Sequence, residues 1–495
     1  MPFFSTRGES VVTASQAILR GIAPDGGLYV PAMFHNVRPE RLTSLTEMNY
    51  EQRAVAVLKR FLEDFSVKEI EDAVHAAYSP ERFTAPEIAP VKQLDGATWS
   101  LELFHGPTLA FKDMALQLLP HLLRLSAEKN GENREICILV ATSGDTGKAA
   151  LEGFQDVPGT SCTVFSPLDG VSDVQRLQMV TTGGSNTHVI AVKGNFDDAQ
   201  TGVKELFTSE AFRNQMAEKG RVLSSANSIN LGRLVPQVVY YFSAYAELLK
   251  IHAIAAGDPV NFCVPTGNFG DILAGYYARS MGLPVNKLIC ASNRNNVLTD
   301  FFNTGIYSTH RTFFKTISPS MDILVSSNLE RLLYEAADRD GGLIRTWMNL
   351  LKESGSYSVG EQRRDWLLDT FWGDCADNKD TLGEIKARWE QDHYLMDPHT
   401  AVAGHVLRQY RKMTGDDTPS VIVATASPYK FAADVLNALT GDNAGGDPFI
   451  ASEKIQELTG VPMPEQVLKL RDLPIRHTAE CFKDRMGQAV LDVMA

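Results

Sequence analysis

The chain has 495 residues, 44% hydrophobic and 22% charged, with no long biased tract; that excludes a disordered or fibrous protein and implies two or three packed domains. Its net charge is −13, from 47 basic and 60 acidic side chains. A balance that acidic leaves no footprint for nucleic acid or an anionic membrane, so small molecules are the expected partners and any anionic ligand needs a local positive pocket.

The opening MPFFSTRGESVV has no basic segment leading into an apolar core, and no later apolar run reaches bilayer-spanning length, so the sequence reads as cytoplasmic. Cys137, Cys162, Cys263 and Cys290, four of the six cysteines, sit in short apolar runs without CxxC or Cys/His spacing. They read as buried reduced thiols, and no metal site is expected.

Residues 1–97 alternate amphipathic helical stretches such as EQRAVAVLKRFLEDF with polar turns, the pattern of a supporting region. From residue 98 short β-branched runs take over, each followed by a Gly-rich turn and a helical period: ICILVATSGDTG, CTVFSP, HVIAVKGN, VNFCVPTGNFGD, LICASN and VIVATASP. Strands alternating with helices predict parallel sheets with crossover helices, hence an α/β fold that binds ligands beyond the carboxyl ends of its strands. Between about 318 and 395 the strand signal gives way to segments such as LERLLYEAADRD, and a helical insertion is expected.

In chain order, the first candidate is Lys112, in LELFHGPTLAFKD, at the end of a strand-like run and before a long helical segment opened by Asp113. The positive end of a helix dipole disfavours the ammonium form, and a depressed pKa suits a Schiff-base amine; alone, however, a lysine at a helix start is a solvated surface charge. ATSGDTGKAALEGF places Ser143, Gly144 and Thr146 in a strand-to-helix turn whose N–H groups suit a carboxylate. Gly147-Lys148 there is too closely spaced for a nucleotide-triphosphate loop, and Ala149 lacks the hydroxyl such a loop uses for magnesium.

SSANSINLGRLVPQ gathers Asn227, Ser228, Asn230 and Arg233 before a long helix, either as caps or as a bidentate anion clamp. In VPTGNFGD, Gly267, Asn268, Phe269 and Gly270 run from an apolar strand straight into a helix. Two glycines and a helix N-terminus make an anion cradle, against the plainer reading of a tight turn. Thr425 ends the strand of VIVATASPYKF, where its hydroxyl would bond a ring nitrogen or cap the next helix.

The blocks ELFHGPTLAFKD, ATSGDTG, SANSIN, PTGNFGD, DPHTAVAG and TASPYKF resemble, in this order and over nearly the whole chain, threonine synthase of the bacterial and fungal type. The resemblance implies a tryptophan-synthase-β-like, fold-type-II pyridoxal-phosphate enzyme: two parallel-type open sheets with flanking helices. It divides the chain into an N-terminal supporting region at 1–97, a smaller α/β domain at 98–235 with the lysine and substrate loops, and a large α/β domain at 236–495 with the cofactor phosphate loop.

It further implies that Lys112 forms the Schiff base with pyridoxal 5′-phosphate and shuttles protons, that Gly267 to Gly270 hold the cofactor phosphate, and that Thr425 partners the pyridine nitrogen. The substrate carboxylate falls to Ser143, Gly144 and Thr146, and the substrate phosphate to Asn227, Ser228 and Arg233. Asp145 departs from the wider superfamily, where Asn contacts the phenolic oxygen; two negative oxygens there repel unless a proton or a lysine lies between them. His105, His399 and Lys430 match the motifs with no derived role. The implied reaction makes threonine and phosphate from O-phosphohomoserine and water, by a monomer or homodimer; the nearest rival is a phospho-lyase giving 2-oxobutyrate.

Overall fold

A computed structural model describes residues 1–142, 144–168, 173–442 and 447–494. The largest sheet has six strands in the order Phe371–Cys375, Val285–Ser292, Val260–Pro265, Ser420–Ala424, Thr98–Glu102 and Val91–Asp95. All neighbours are parallel except the last pair. A second, all-parallel sheet of five runs Ala479–Cys481, Thr187–Val192, Thr160–Pro167, Glu135–Ala141, Arg221–Ser224. The architecture is that of an α/β enzyme with open sheets and flanking helices.

The apolar runs are continuous because both faces of each sheet are covered. Val260, Phe262 and Val264 point into the main core while Cys263 faces a second one, and Val421 and Val423 are divided from Ile422 in the same way. In the five-stranded sheet Ile136, Ile138 and Val140 face the main core, with Cys137 and Leu139 on the opposite side. The helix Leu231–Lys250 is buried over most of its length and runs through the main core. The four cysteines in apolar runs are buried and unpaired. Among the described residues no helix is long and apolar enough to cross a membrane.

Residues 1–97 add to their helices a small antiparallel sheet of Phe3–Ser5, Val11–Val12 and Tyr29–Pro31, too short for a periodic signal. Arg7 clamps Glu330 through Nε to Oε1 at 2.8 Å and Nη2 to Oε2 at 2.6 Å, so this region is bolted to the distant helix Leu329–Ala336. The stretch 318–395 is mostly helical, yet Phe371–Cys375 forms an edge strand of the largest sheet. With a Gly and an Asp among its five residues, its strand character comes from pairing with Val285–Ser292 rather than from propensity. Sheet membership also crosses the sequence order: Thr98–Glu102 pairs with Ser420–Ala424, and Ala479–Cys481 joins the smaller sheet.

Candidate active site

Three adjacent strands of the largest sheet deliver the chemistry at their carboxyl ends: Val260–Pro265 leads to the glycine turn, Ser420–Ala424 to Thr425, and Thr98–Glu102 to the loop carrying Lys112. That loop is sewn to its neighbour by Leu103 N donating to Ala424 O at 3.0 Å, Phe111 N to Thr425 O at 2.8 Å, and Ser427 N to Leu109 O at 3.0 Å. Lys112 and Thr425 are thereby held at a fixed separation.

The expected long helix after Lys112 is two helices, Asp113–Leu116 and Leu119–Lys129, because Pro120 cannot donate into a preceding turn. Lys112 caps only the four-residue piece, which is too short for a sizeable dipole. Its amine is nonetheless depressed to about 8, foremost by burial; Asp145 opposes the shift, and Lys430 and Arg233 add to it. The shift is set by desolvation and neighbouring cations, and not by a helix dipole. Asp113 turns inward, accepting from Thr108 N and Oγ1 at 2.8 Å each, and burial pushes its carboxyl up to about 7.

Asp145 opens the helix Asp145–Phe154 in the smaller sheet's layer and projects toward the lysine. Its Oδ1 lies 2.7 Å from Lys430 Nζ and accepts from Gln175 Nε2 at 2.9 Å; its Oδ2 accepts from Ser320 Oγ at 3.3 Å and lies 3.8 Å from Lys112 Nζ. Burial alone would raise this carboxyl, but the two lysines hold it well below the usual carboxylate range. Of the two lysines beside Asp145, Lys430 is the nearer.

The glycine turn is built tightly. Phe269 takes a left-handed φ of 62°, a strained choice for a non-glycine residue. It is held there by burying its ring against Phe302 and Phe371. A Cβ on Gly267 would stand 2.8 Å from the Ser320 carbonyl oxygen. Ser326 Oγ donates to Gly267 O at 2.8 Å, and Asn328 donates to Asn268 O through both its backbone N (3.1 Å) and its Nδ2 (3.0 Å).

In the SGDTG turn Ser143 lies outside the described residues. Gly144 has φ 149°, and a Cβ there would collide with the Gln175 amide. Thr142 ties the turn by accepting from Gly144 N at 3.0 Å and Gly147 N at 2.9 Å, a role its place at a strand end did not reveal. Thr146 is half-buried on the first helical turn. Lys148 is engaged with Glu152 and Thr182, in keeping with the rejected nucleotide loop.

Of the SANSIN group, Asn227 is exposed, Ser228 half-buried, and Asn230 caps the helix through Gly232 N at 2.8 Å. Arg233 is buried in the first turn, where Nη1 donates to Ala226 O at 2.9 Å. Its Nε is buried with no partner, and no carboxylate pairs with it among the described residues. Burial lowers this guanidinium to about 10. A desolvated, partly unsatisfied cation next to the lysine is built to receive an anion.

Several contributors come from the stretch 318–395, where nothing local announced them. Asn328 Nδ2 also donates to Ser228 O at 3.3 Å, so one amide spans the glycine turn and the SANSIN segment. Arg331, fully buried, holds Asn328 Oδ1 and donates to Ile229 O at 2.6 Å and Tyr29 O at 2.9 Å. Ser320 N donates to His399 Nε2 at 3.1 Å, which assigns the proton to Nδ1, facing Asp397 at 3.3 Å. His105 pairs instead with Glu102 at 2.8 Å.

A buried amine in the loop after Thr98–Glu102, with a glycine turn and a threonine hydroxyl at the ends of the two neighbouring strands, marks the class of α/β enzyme to which the chain is compared. The family described as pyridoxal-phosphate dependent enzyme matches residues 84–347, flanked by threonine synthase N terminus over 2–78 and threonine synthase, C-terminal over 400–478. Threonine synthase-like 1 of Homo sapiens is 41% identical over 435 residues, covering 86% of this chain; the chain spans 58% of that protein's length. Threonine synthase of Pseudomonas aeruginosa is 38% identical over 482 residues, with 96% of this chain and 98% of that one covered. The crystal structure of PLP-bound threonine synthase from Brucella melitensis has a TM-score of 0.89 at 37% identity, covering 100% and 99% of the two chains.

The chain belongs to the threonine synthase family of pyridoxal-phosphate-dependent enzymes, with the type II fold. Its cofactor is pyridoxal 5′-phosphate. The residues present fit that group: a desolvated amine, a glycine turn leading into a helix N-terminus, and a carboxylate paired with lysines.

Proposed function

We propose that this enzyme is a cytoplasmic lyase that converts O-phospho-L-homoserine and water to L-threonine and phosphate, the last step of threonine biosynthesis. The observation that carries the reading is the buried Arg233, whose Nε has no partner, in a segment that Asn328 ties to the glycine turn through Ser228 O and Asn268 O. A phosphorylated substrate that keeps its own phosphate until mid-reaction needs such a pair of sites. Buried, unpaired cysteines fit a reducing compartment.

When bound, pyridoxal phosphate supplies the electron sink for charge that develops beside the substrate amine. Lys112 is the residue we assign to carry it, with Gly267, Asn268, Phe269 and Gly270 at its phosphate, Asp145 near its phenolic oxygen, and Thr425 opposite the ring nitrogen. A neutral hydroxyl at Thr425 makes that sink weaker than a carboxylate would.

Lys112 Nζ, poised near neutrality, takes first the substrate's α-proton and then a β-proton, so that phosphate leaves the γ-carbon, and it returns a proton to the γ-carbon. Arg233, with Asn227 and Ser228, receives the leaving phosphate, where a charge-assisted pair is worth most as negative charge builds. Ser143, Gly144 and Thr146 orient the substrate carboxylate. Water then adds its oxygen at the β-carbon and a proton returns to the α-carbon, so that the C–H bond lost at the β-carbon is offset by the one gained at the γ-carbon, and C–O cleavage by C–O formation.

The test is turnover of O-phosphohomoserine by the purified holoenzyme, with phosphate and organic product both quantified. Equimolar threonine and phosphate are expected. 2-Oxobutyrate would move the enzyme to the phospho-lyases, and homoserine would reduce it to a phosphatase.

A further inference from the structure

Lys430, like His105 and His399, is a motif residue whose chemistry the proposed reaction leaves unused. It lies in the short turn Pro428–Phe431, and its side chain is 0% exposed. A lysine is seldom buried so completely without a charged partner. Its Nζ reaches Asp145 Oδ1 at 2.7 Å and the Thr108 carbonyl at 2.8 Å. Those two contacts join the helix start of the smaller sheet's layer to the loop that carries Lys112.

The distances set up a competition. Asp145 stands 2.7 Å from Lys430 but 3.8 Å from Lys112, so its charge is taken mainly by Lys430. Without that nearer cation, the carboxylate would be free to pair with Lys112 and to hold it as an ammonium ion, the form that cannot attack. We propose that Lys430 is an electrostatic positioning residue that occupies Asp145 and thereby keeps the Lys112 amine unpaired and nucleophilic. This rests on the assignment of Lys112 as the Schiff-base lysine.

The charged groups facing Lys112 are Asp145, Lys430, Arg233 and Asp113. Burial, Lys430 and Arg233 favour the neutral amine, while Asp145 and Asp113 oppose it. Taking the charge from Lys430 therefore acts twice in one direction, removing a repulsion and releasing a carboxylate. Taking the charge from Asp145 acts in the opposite direction.

The experiment follows cofactor uptake by the cofactor-free enzyme across pH, read as growth of the bound chromophore. In that step the neutral amine condenses with the cofactor aldehyde and one water is lost, so the rate tracks the unprotonated fraction of Lys112. Lys430→Gln keeps a hydrogen-bond donor but not the charge; the rising limb should move up by about one pH unit. Asp145→Asn should move it down, and this second variant gives an independent sign if the first fails to fold. In the double variant the Lys430→Gln shift should shrink to the part its direct repulsion of Lys112 supplies, because the carboxylate it otherwise releases is gone.

Borohydride reduction and peptide mapping of the wild type are done alongside, with the label expected on Lys112. A label on Lys112 with an unmoved limb in Lys430→Gln, or shifts of equal sign in the two single variants, would overturn the proposal. A label on Lys430 would overturn the Schiff-base assignment itself, and the inference with it.

Discussion

At the residue scale the site is organised by buried cations that outnumber the carboxylates offered to them. Lys430 and Arg233 act on Lys112, and the two lysines hold the Asp145 carboxyl well below the usual range while burial raises that of Asp113 to about 7. The surplus positive charge is what a doubly phosphorylated reaction complex would neutralise. Lys112→Ala should lose both the reducible chromophore and turnover, checked by absorption and steady-state assay. Arg233→Ala should raise KM for O-phosphohomoserine by roughly 10- to 100-fold, the scale of a lost charge-assisted bond. An unchanged KM would put the substrate phosphate elsewhere.

Lys112 was legible because it ends an apolar run in a block rich in turn residues. The cause of its lowered pKa was not, since burial and the approach of Lys430 across 318 residues of sequence leave no local trace. Lys430 itself offered a faint signal, a lone charge in the stretch ASPYKFAA.

At the scale of elements, tight turns pinned by their neighbours matter more than helix dipoles. Gly267→Ala would push a methyl onto the Ser320 carbonyl, and cofactor affinity should fall about 10-fold, measured by titrating the cofactor-free enzyme. The helix Gly270–Ser280 begins with a buried Asp271 that accepts from Tyr240 at 2.6 Å and Tyr241 at 2.9 Å. Burial raises this carboxyl to about 6, despite the two tyrosine bonds that lower it.

The folded state therefore binds more protons at this group than the unfolded state between about 3.8 and about 6. Stability from Asp271 is fully present below that window and is lost as pH rises through it. The Tm of Asp271→Asn should fall less than that of wild type over the same interval, and parallel curves would contradict this account. The strand–turn–helix units were readable from apolar runs ending in glycine. The break at Pro120 and the edge strand Phe371–Cys375 were not, because tertiary pairing and a single proline overrode the local period.

At the scale of the molecule, the site is assembled between the two sheets and fastened by a stretch that sequence pattern marks only as helical. Arg331 links the N-terminal sheet through Tyr29, the SANSIN segment through Ile229 and the glycine turn through Asn328. Arg331→Leu leaves those acceptors unpaired. A stability loss of about 3 kcal/mol is expected, measured by chemical denaturation, together with weaker cofactor binding. The order of blocks along the chain made the fold class and the reaction family readable. The convergence of Ser320, Asn328 and Arg331 on the site was not, because residues from 320 to 331 meet partners near 145, 229 and 268 only after both sheets have formed.

The central claim is that phosphate departs by C–O cleavage and that water enters at the neighbouring carbon. The most direct test is turnover of O-phosphohomoserine by the holoenzyme in ¹⁸O-labelled water, with both products analysed by mass spectrometry. The account predicts threonine with one labelled hydroxyl oxygen and phosphate with none. Labelled phosphate beside unlabelled homoserine would show attack at phosphorus and contradict it.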